Sequence, residues 1–176
     1  MKILLTTALL LSLAFNVIAS EDTLVRPSAT AHLTVKENET RNYYAELEGQ
    51  IRLDGVFVAE WIKEADEEDQ PFKLRIRLIP NHFELKNLPY FSGYPIRILA
   101  IQNETEALKL AIEPNTLAQL KRKKLKQVKA IGTFWLENYN VTVECDNPWA
   151  TATIVKASIS KPLVLKKFPK KYGCSS

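Results

Sequence analysis

Side chains suited to acid–base or metal chemistry are few in this chain, and they are poorly spaced for it. The two histidines, His32 and His82, lie fifty residues apart. Neither belongs to a His-Glu-x-x-His spacing or sits near a cysteine, so a zinc site lacks ligands. There is no Gly-x-Ser-x-Gly elbow and no glycine-rich phosphate loop, and there are only five glycines altogether. Twenty acidic residues leave a carboxylate pair for hydrolysis possible in principle, but no spacing singles one out. These gaps predict a protein that is not an enzyme and has no catalytic residue, metal or cofactor.

Binding chemistry has better candidates. The segment Phe83–Pro95 (FELKNLPYFSGYP) gathers Phe83, Tyr90, Phe91 and Tyr94 around Pro89, Gly93 and Pro95, which break regular structure. Aromatics on an irregular loop are the usual material of a binding loop; the plainer alternative is that these rings close the end of a core. Arg75 and Arg77 share a strand face with Lys73 and either bind or simply guard a sheet edge, edge protection being the commoner use. With Trp149, the candidate ligand-binding set is Tyr90, Phe91, Tyr94, Arg75, Arg77 and Trp149. The basic run Lys121–Lys126 fits the negative end of a helix and a solvated face. The acidic run Glu64–Asp69 reads as a solvated loop, since it lacks the glycine and ligand spacing of a calcium loop.

These residues need strands to hold them. Residues alternate from Tyr43 to Leu53, with Leu47, Gly49, Ile51 and Leu53 on one side. Gly49 predicts a coil or bulge within that strand. Asp54-Gly55 predicts a two-residue hairpin, with Val56–Trp61 as the returning strand. Phe72–Ile79 alternates with Leu74, Ile76 and Leu78 inward and ends at Pro80. Ile96–Ile101 and Ala107–Ile112 read as two further strands. Pro114–Gln127 reads as a short helix capped by Asn115 or Thr116, with the stripe Leu117, Leu120 and Leu125. Val128–Trp135 is a strand apolar on both sides. A turn at Glu137–Tyr139, the strand Asn140–Cys145, a turn at Asp146-Asn147-Pro148 and the strand Trp149–Ile159 complete the set. The fold class is mainly β: a small OB-like antiparallel β-barrel with one short helix before the closing strands.

Residues 1–19 have the basic start, apolar stretch and small-residue cut site of a signal peptide, cleaved after Ala19 or Ser20. The apolar stretch is broken by Thr6, Thr7, Ser12 and Asn16, which makes a membrane span a poor reading. Removing it takes away Lys2 and lowers the formal charge from +4 to +3. About 157 residues remain, one domain by size: a flexible arm over 20–42, the barrel over 43–159 and a Lys-rich tail over 160–176. In an oxidising compartment Cys145 and Cys174 are expected to form one disulfide that tethers the tail. Three Asn-x-Thr sequons begin at Asn38, Asn103 and Asn140 and would be inert in a bacterial source.

The strand order with its inserted helix resembles OB-like five-stranded barrels. AELEGQIRL, YPIRILAIQ and VKAIGTFW are similar to a family of small exported bacterial domains, over about Tyr43–Ala157. The His-rich hairpin of that family is replaced here by ENYNVTVECDNPWAT. The resemblance implies fold and an exported, periplasmic or secreted location; it carries no activity and no residue roles. The function expected is an exported binding module of the bacterial envelope, its partner an envelope protein or a small ligand, with nucleic acid an unlikely one. The alternatives are an inhibitor or immunity-type partner of a secreted enzyme, and an acid-based hydrolase.

Overall fold

The computed structural model describes residues 23–39, 43–63 and 72–168. The expected leader, the acidic run Glu64–Asp69 and Cys174 lie outside the described residues. In chain order the elements are β1 (Leu24–Val25), β2 (Thr34–Glu39), β3 (Tyr44–Glu48), β4 (Ile51–Ile62), β5 (Lys73–Pro80), α1 (His82–Leu85), β6 (Tyr90–Phe91), β7 (Leu99–Ile101), α2 (Glu104–Ala111), α3 (Pro114–Lys121), β8 (Gln127–Glu144), β9 (Asn147–Ile159) and β10 (Val164–Lys166).

Five of these strands close on themselves in the order β4-β5-β7-β9-β8, with β8 returning to β4. Every pairing is antiparallel except β7 with β9, which run parallel. Counting barrel strands alone, the circuit is first-second-third-fifth-fourth, with α2 and α3 between the third and fourth: the order of an OB-like barrel. Strand β8 holds the assembly together. It pairs with β4 from Gln127 to Leu136, with β3 from Tyr139 to Thr142, and with β9 and β10 along its other edge. Along the first edge β3 and β4 run almost as one strand, kinked at Gly49, whose φ of 123° only glycine adopts at low cost.

Local turn chemistry loses to this pairing at two places. Asp54-Gly55 is not a hairpin, because β4 runs straight through it to Ile62. Gly55 instead sits opposite Gly132 of β8, and Pro80 and Ile159 flank them in one row across four strands. A β-carbon on Gly132 would lie 2.2 Å from the Ser158 carbonyl oxygen, and one on Gly55 would lie 2.6 Å from that of Ile79. Both glycines therefore let neighbouring backbones approach closely at the barrel's tightest corner. The second place is Glu137–Tyr139, which is a register shift inside β8 and not a turn. The hairpin reverses at Cys145-Asp146, both with positive φ, one position or more before the turn expected at Asp146-Asn147-Pro148.

Helices also differ from expectation. Glu104–Ala111 is helical, so the strand read at Ala107–Ile112 is corrected: its apolar residues Ala107, Leu108 and Ala111 make a helical stripe buried on the barrel. The Asn103 side chain donates to the Ile154 carbonyl at 2.8 Å and accepts from the Ile154 N–H at 3.0 Å, tying the start of α2 to β9. In α3 the cap is Glu113, with Pro114 in the first turn, a position that needs no backbone donor. That helix stops at Lys121, short of the expected Gln127. Leu120 and Leu125 are buried in the core, and Trp61 Nε1 donates to the Leu120 carbonyl at 2.9 Å.

The core runs through the barrel, with Phe57 and Phe134 stacked at 6.3 Å. Tyr139 is fully buried and donates its hydroxyl to the Pro89 carbonyl at 2.8 Å; burial also pushes its pKa far above the usual tyrosine value. This bond anchors the aromatic segment to β8. Tyr139→Phe is expected to lower unfolding free energy by about 1–2 kcal/mol in denaturant titrations, the cost of an orphaned buried acceptor. Gly132→Ala should cost about 3 kcal/mol or more, because backbone must move to admit the methyl. Gly93→Ala, with nothing within 4 Å of the new atom, should cost only the roughly 1–2 kcal/mol of a left-handed backbone. Equal melting points for the two alanine variants would refute the close-approach reading of Gly132.

Candidate binding groove

Strand pairing brings distant residues onto one outer face. Arg77 of β5 lies opposite Ala100 of β7, and Ala100 lies beside Thr151 of β9. The parallel register of Leu99 with Ala150 carries Trp149 to the side of Ile98. Over this face runs a groove of about 640 Å³, within the range of ordinary ligand sites. Its floor is Arg75, Arg77, Arg97, Ile98 and Ala100, one wall is Gly93–Pro95, and the other is Asp146–Ala150 of the β8–β9 hairpin.

The hairpin wall is held by its own turn and by one cross-link. Cys145 and Asp146 have φ of 48° and 62°, the two left-handed positions of a tight hairpin turn whose twist matches the strands. Asn147 Nδ2 donates to the Cys145 carbonyl at 3.2 Å. Tyr94 donates its hydroxyl to Asp146 Oδ1 at 3.1 Å and so bridges the two walls. Behind Tyr94 an edge-on aromatic relay runs through Tyr43, 5.8 Å away, to Phe91 at a further 5.7 Å.

The arginines are organised from β4. Glu60 stands opposite Arg75 in the ladder; its carboxylate lies 3.1 Å from Arg75 Nη2 and 3.6 Å from Arg77 Nη2. The Gln127 amide donates to the same carboxylate. Burial of Glu60 favours its neutral form, but the Gln127 and Arg75 hydrogen bonds and the charges of Arg77 and Arg75 outweigh it and hold the pKa below the ordinary value. Strand β5 pairs with β4 along its length and with β7 at Arg77 and Leu78, so Arg77 lies inside the sheet, whereas Arg75 lies beyond the β7 pairing. Both arginines contribute to a positively charged floor backed by one half-buried acid. Arg77 Nε is buried and, among the described residues, bonded to nothing.

Of the six residues singled out from sequence, Arg75, Arg77, Tyr94 and Trp149 meet in this groove. Tyr90 and Phe91 do not. Phe91 is fully buried and pairs with Leu24 of β1, which makes it core. Tyr90 pairs with Val25 and lines a neighbouring hollow of about 450 Å³ with His82, Phe83 and Lys86. Sequence reading missed Arg97 and Ile98, which fall in YPIRILAIQ and were assigned to a strand interior. The Arg-Ile pair beside Pro95 was the available signal, because the ladder begins only at Leu99. Cys145 is exposed at the hairpin tip, and its expected partner Cys174 is outside the described residues.

The groove presents guanidiniums, a tyrosine hydroxyl and an indole, and the acids near it are engaged. Glu60 is neutralised by two guanidiniums, and Asp146 is engaged by Tyr94. Among the described residues no cluster of three or more His, Cys, Asp or Glu could hold a metal, and no helix is long and apolar enough to cross a membrane.

Because the folded pKa of Glu60 is depressed, its charge stabilises the fold above the unfolded carboxylate value of about 4.3. That contribution is lost as pH falls through the lower folded value. Between about pH 5 and pH 3 the wild type should therefore lose stability more steeply than Glu60→Gln in thermal melts. Parallel pH profiles would show that this carboxylate does not sense the arginines. No protein-family model, curated protein or solved structure matches this chain.

Proposed function

We propose that this protein is a non-enzymatic binding module, exported to the bacterial envelope, whose ligand seat is the groove between the β5–β7 face and the β8–β9 hairpin. One observation carries this reading: residues from three separate stretches of chain converge on a groove whose one lining acid, Asp146, is engaged by Tyr94, while Glu60 behind it is engaged by two arginines. Such a site offers guanidinium forks, a tyrosine and an open indole, the components of recognition. The leader-like residues 1–19 and the resemblance over Tyr43–Ala157 support the location. A dedicated protein partner, such as a secreted enzyme that this module inhibits, is the second reading. It is favoured by Trp149, 54% exposed at the groove rim, because Trp and Arg dominate protein–protein hot spots.

The test is capture from an envelope extract by the immobilised mature protein, with washes at low and high salt. Wild type should retain a component that Trp149→Ala and Arg75→Ala lose by about tenfold or more, with unchanged melting points. One stoichiometric protein that survives high salt would select the partner reading. Equal retention by wild type and both variants would remove the groove as the site.

A further inference from the structure

The groove does not end at Arg97. Pro95 and Arg97 line both the groove and the neighbouring hollow over α1, so the two concavities adjoin at those residues as a two-part cleft. Each part carries one open ring: Trp149, 54% exposed, lines the groove and Phe83, 72% exposed, lines the hollow. Phe83 is held there by the Asn81 side chain, which accepts from its backbone N–H at 3.1 Å. A ring so exposed gains nothing from burial in the free protein and is placed to meet a ligand.

The charge of the cleft is one-sided. Arg75, Arg77, Arg97 and Lys86 line it, against the single acid Asp146. Glu60 offsets Arg75 and Arg77 from behind, whereas Arg97 at the joint is in no ion pair with a described residue. The buried Arg77 Nε, with no described acceptor, is a further donor facing an unfilled need.

We propose, building on the binding-module reading, that this cleft holds an extended acidic saccharide chain, with carboxylates on the arginines and sugar rings against Trp149 and Phe83. Guanidinium forks match carboxylates in bidentate geometry, and the apolar faces of pyranoses suit flat aromatic platforms. The cleft floor separates this occupant from single-stranded nucleic acid. Besides Trp149 and Phe83 the cleft's aromatics are Tyr94, tied by its hydroxyl to Asp146 and packed edge-on against Tyr43, and Tyr90, half-buried and paired with Val25, so neither is an open platform on which consecutive bases would stack.

Titration calorimetry of the mature protein with oligogalacturonates of increasing length tests this. The hexamer should bind more tightly than the dimer, and its methyl-esterified form more weakly by about tenfold or more, since each lost charge-assisted contact is of that order. Phe83→Ala should abolish the gain with length. Arg97→Gln should weaken every length, and Arg97→Lys should restore part of the loss. Binding indifferent to esterification, or independent of length, would overturn the proposal. So would oligothymidylate binding as tightly as the acidic hexamer. If saccharides fail but envelope capture still depends on Trp149, only the ligand class falls. If both fail, the binding-module reading falls with it.

Discussion

The barrel depends on a place where two side chains are missing. At the Gly55–Gly132 pair, the backbones of β5 and β9 come so near that a methyl on either glycine would overlap a carbonyl oxygen. A five-stranded barrel has a small circumference, and its strands must coil sharply to meet. Removing two β-carbons from one row permits that coil without opening a void, because backbone fills the space. The rest follows in sequence: β8 closes on β4, β9 swings across to β7, and the outer face of β5, β7 and β9 becomes one continuous surface.

That surface is where the fold meets chemistry. On β5 alone the arginines would repel each other and wave in solvent. Glu60 on the adjacent strand fixes two of them through a carboxylate that Gln127 of β8 also orients. The opposite wall depends on a hairpin turn with two left-handed residues and on a tyrosine–aspartate bridge. Both walls are thus held by hydrogen bonds and turn geometry.

Much of the architecture is legible from sequence because it rests on periodicity. Phe72–Ile79 and Val128–Trp135 alternate and are strands; Gly49 marks a kink inside a strand, as its neighbours foretell. The failures occur where short-range signals compete with long-range pairing. Asp54-Gly55 carries the chemistry of a turn, but ten consecutive residues of β4 pair with β8, and that ladder outweighs one dipeptide. ALKLAI alternates well enough to pass for a strand, yet its acidic first turn and the cap-like Asn103 belong to a helix. The groove was half legible. Residue type nominates Arg75, Arg77, Tyr94 and Trp149, but only the parallel β7–β9 register shows that they meet, and a parallel pairing leaves no local mark. The same blindness hides Arg97 and misplaces Phe91, whose ring is spent on packing.

The central position of β8 also sets an order of events during synthesis. A ribosome releases this chain from its N-terminus, so β4 and β5 emerge well before residues 127–144. Until then the edge of β4 from Ile51 to Glu60 lacks its partner, and an isolated hairpin is barely stable in water. Distant contacts reward the chain only after the intervening loop has been closed. Nearly the whole polypeptide must therefore be available before any part of the barrel is worth forming. Such a chain gains its core almost all at once, when β8 and β9 arrive to close the ring of strands.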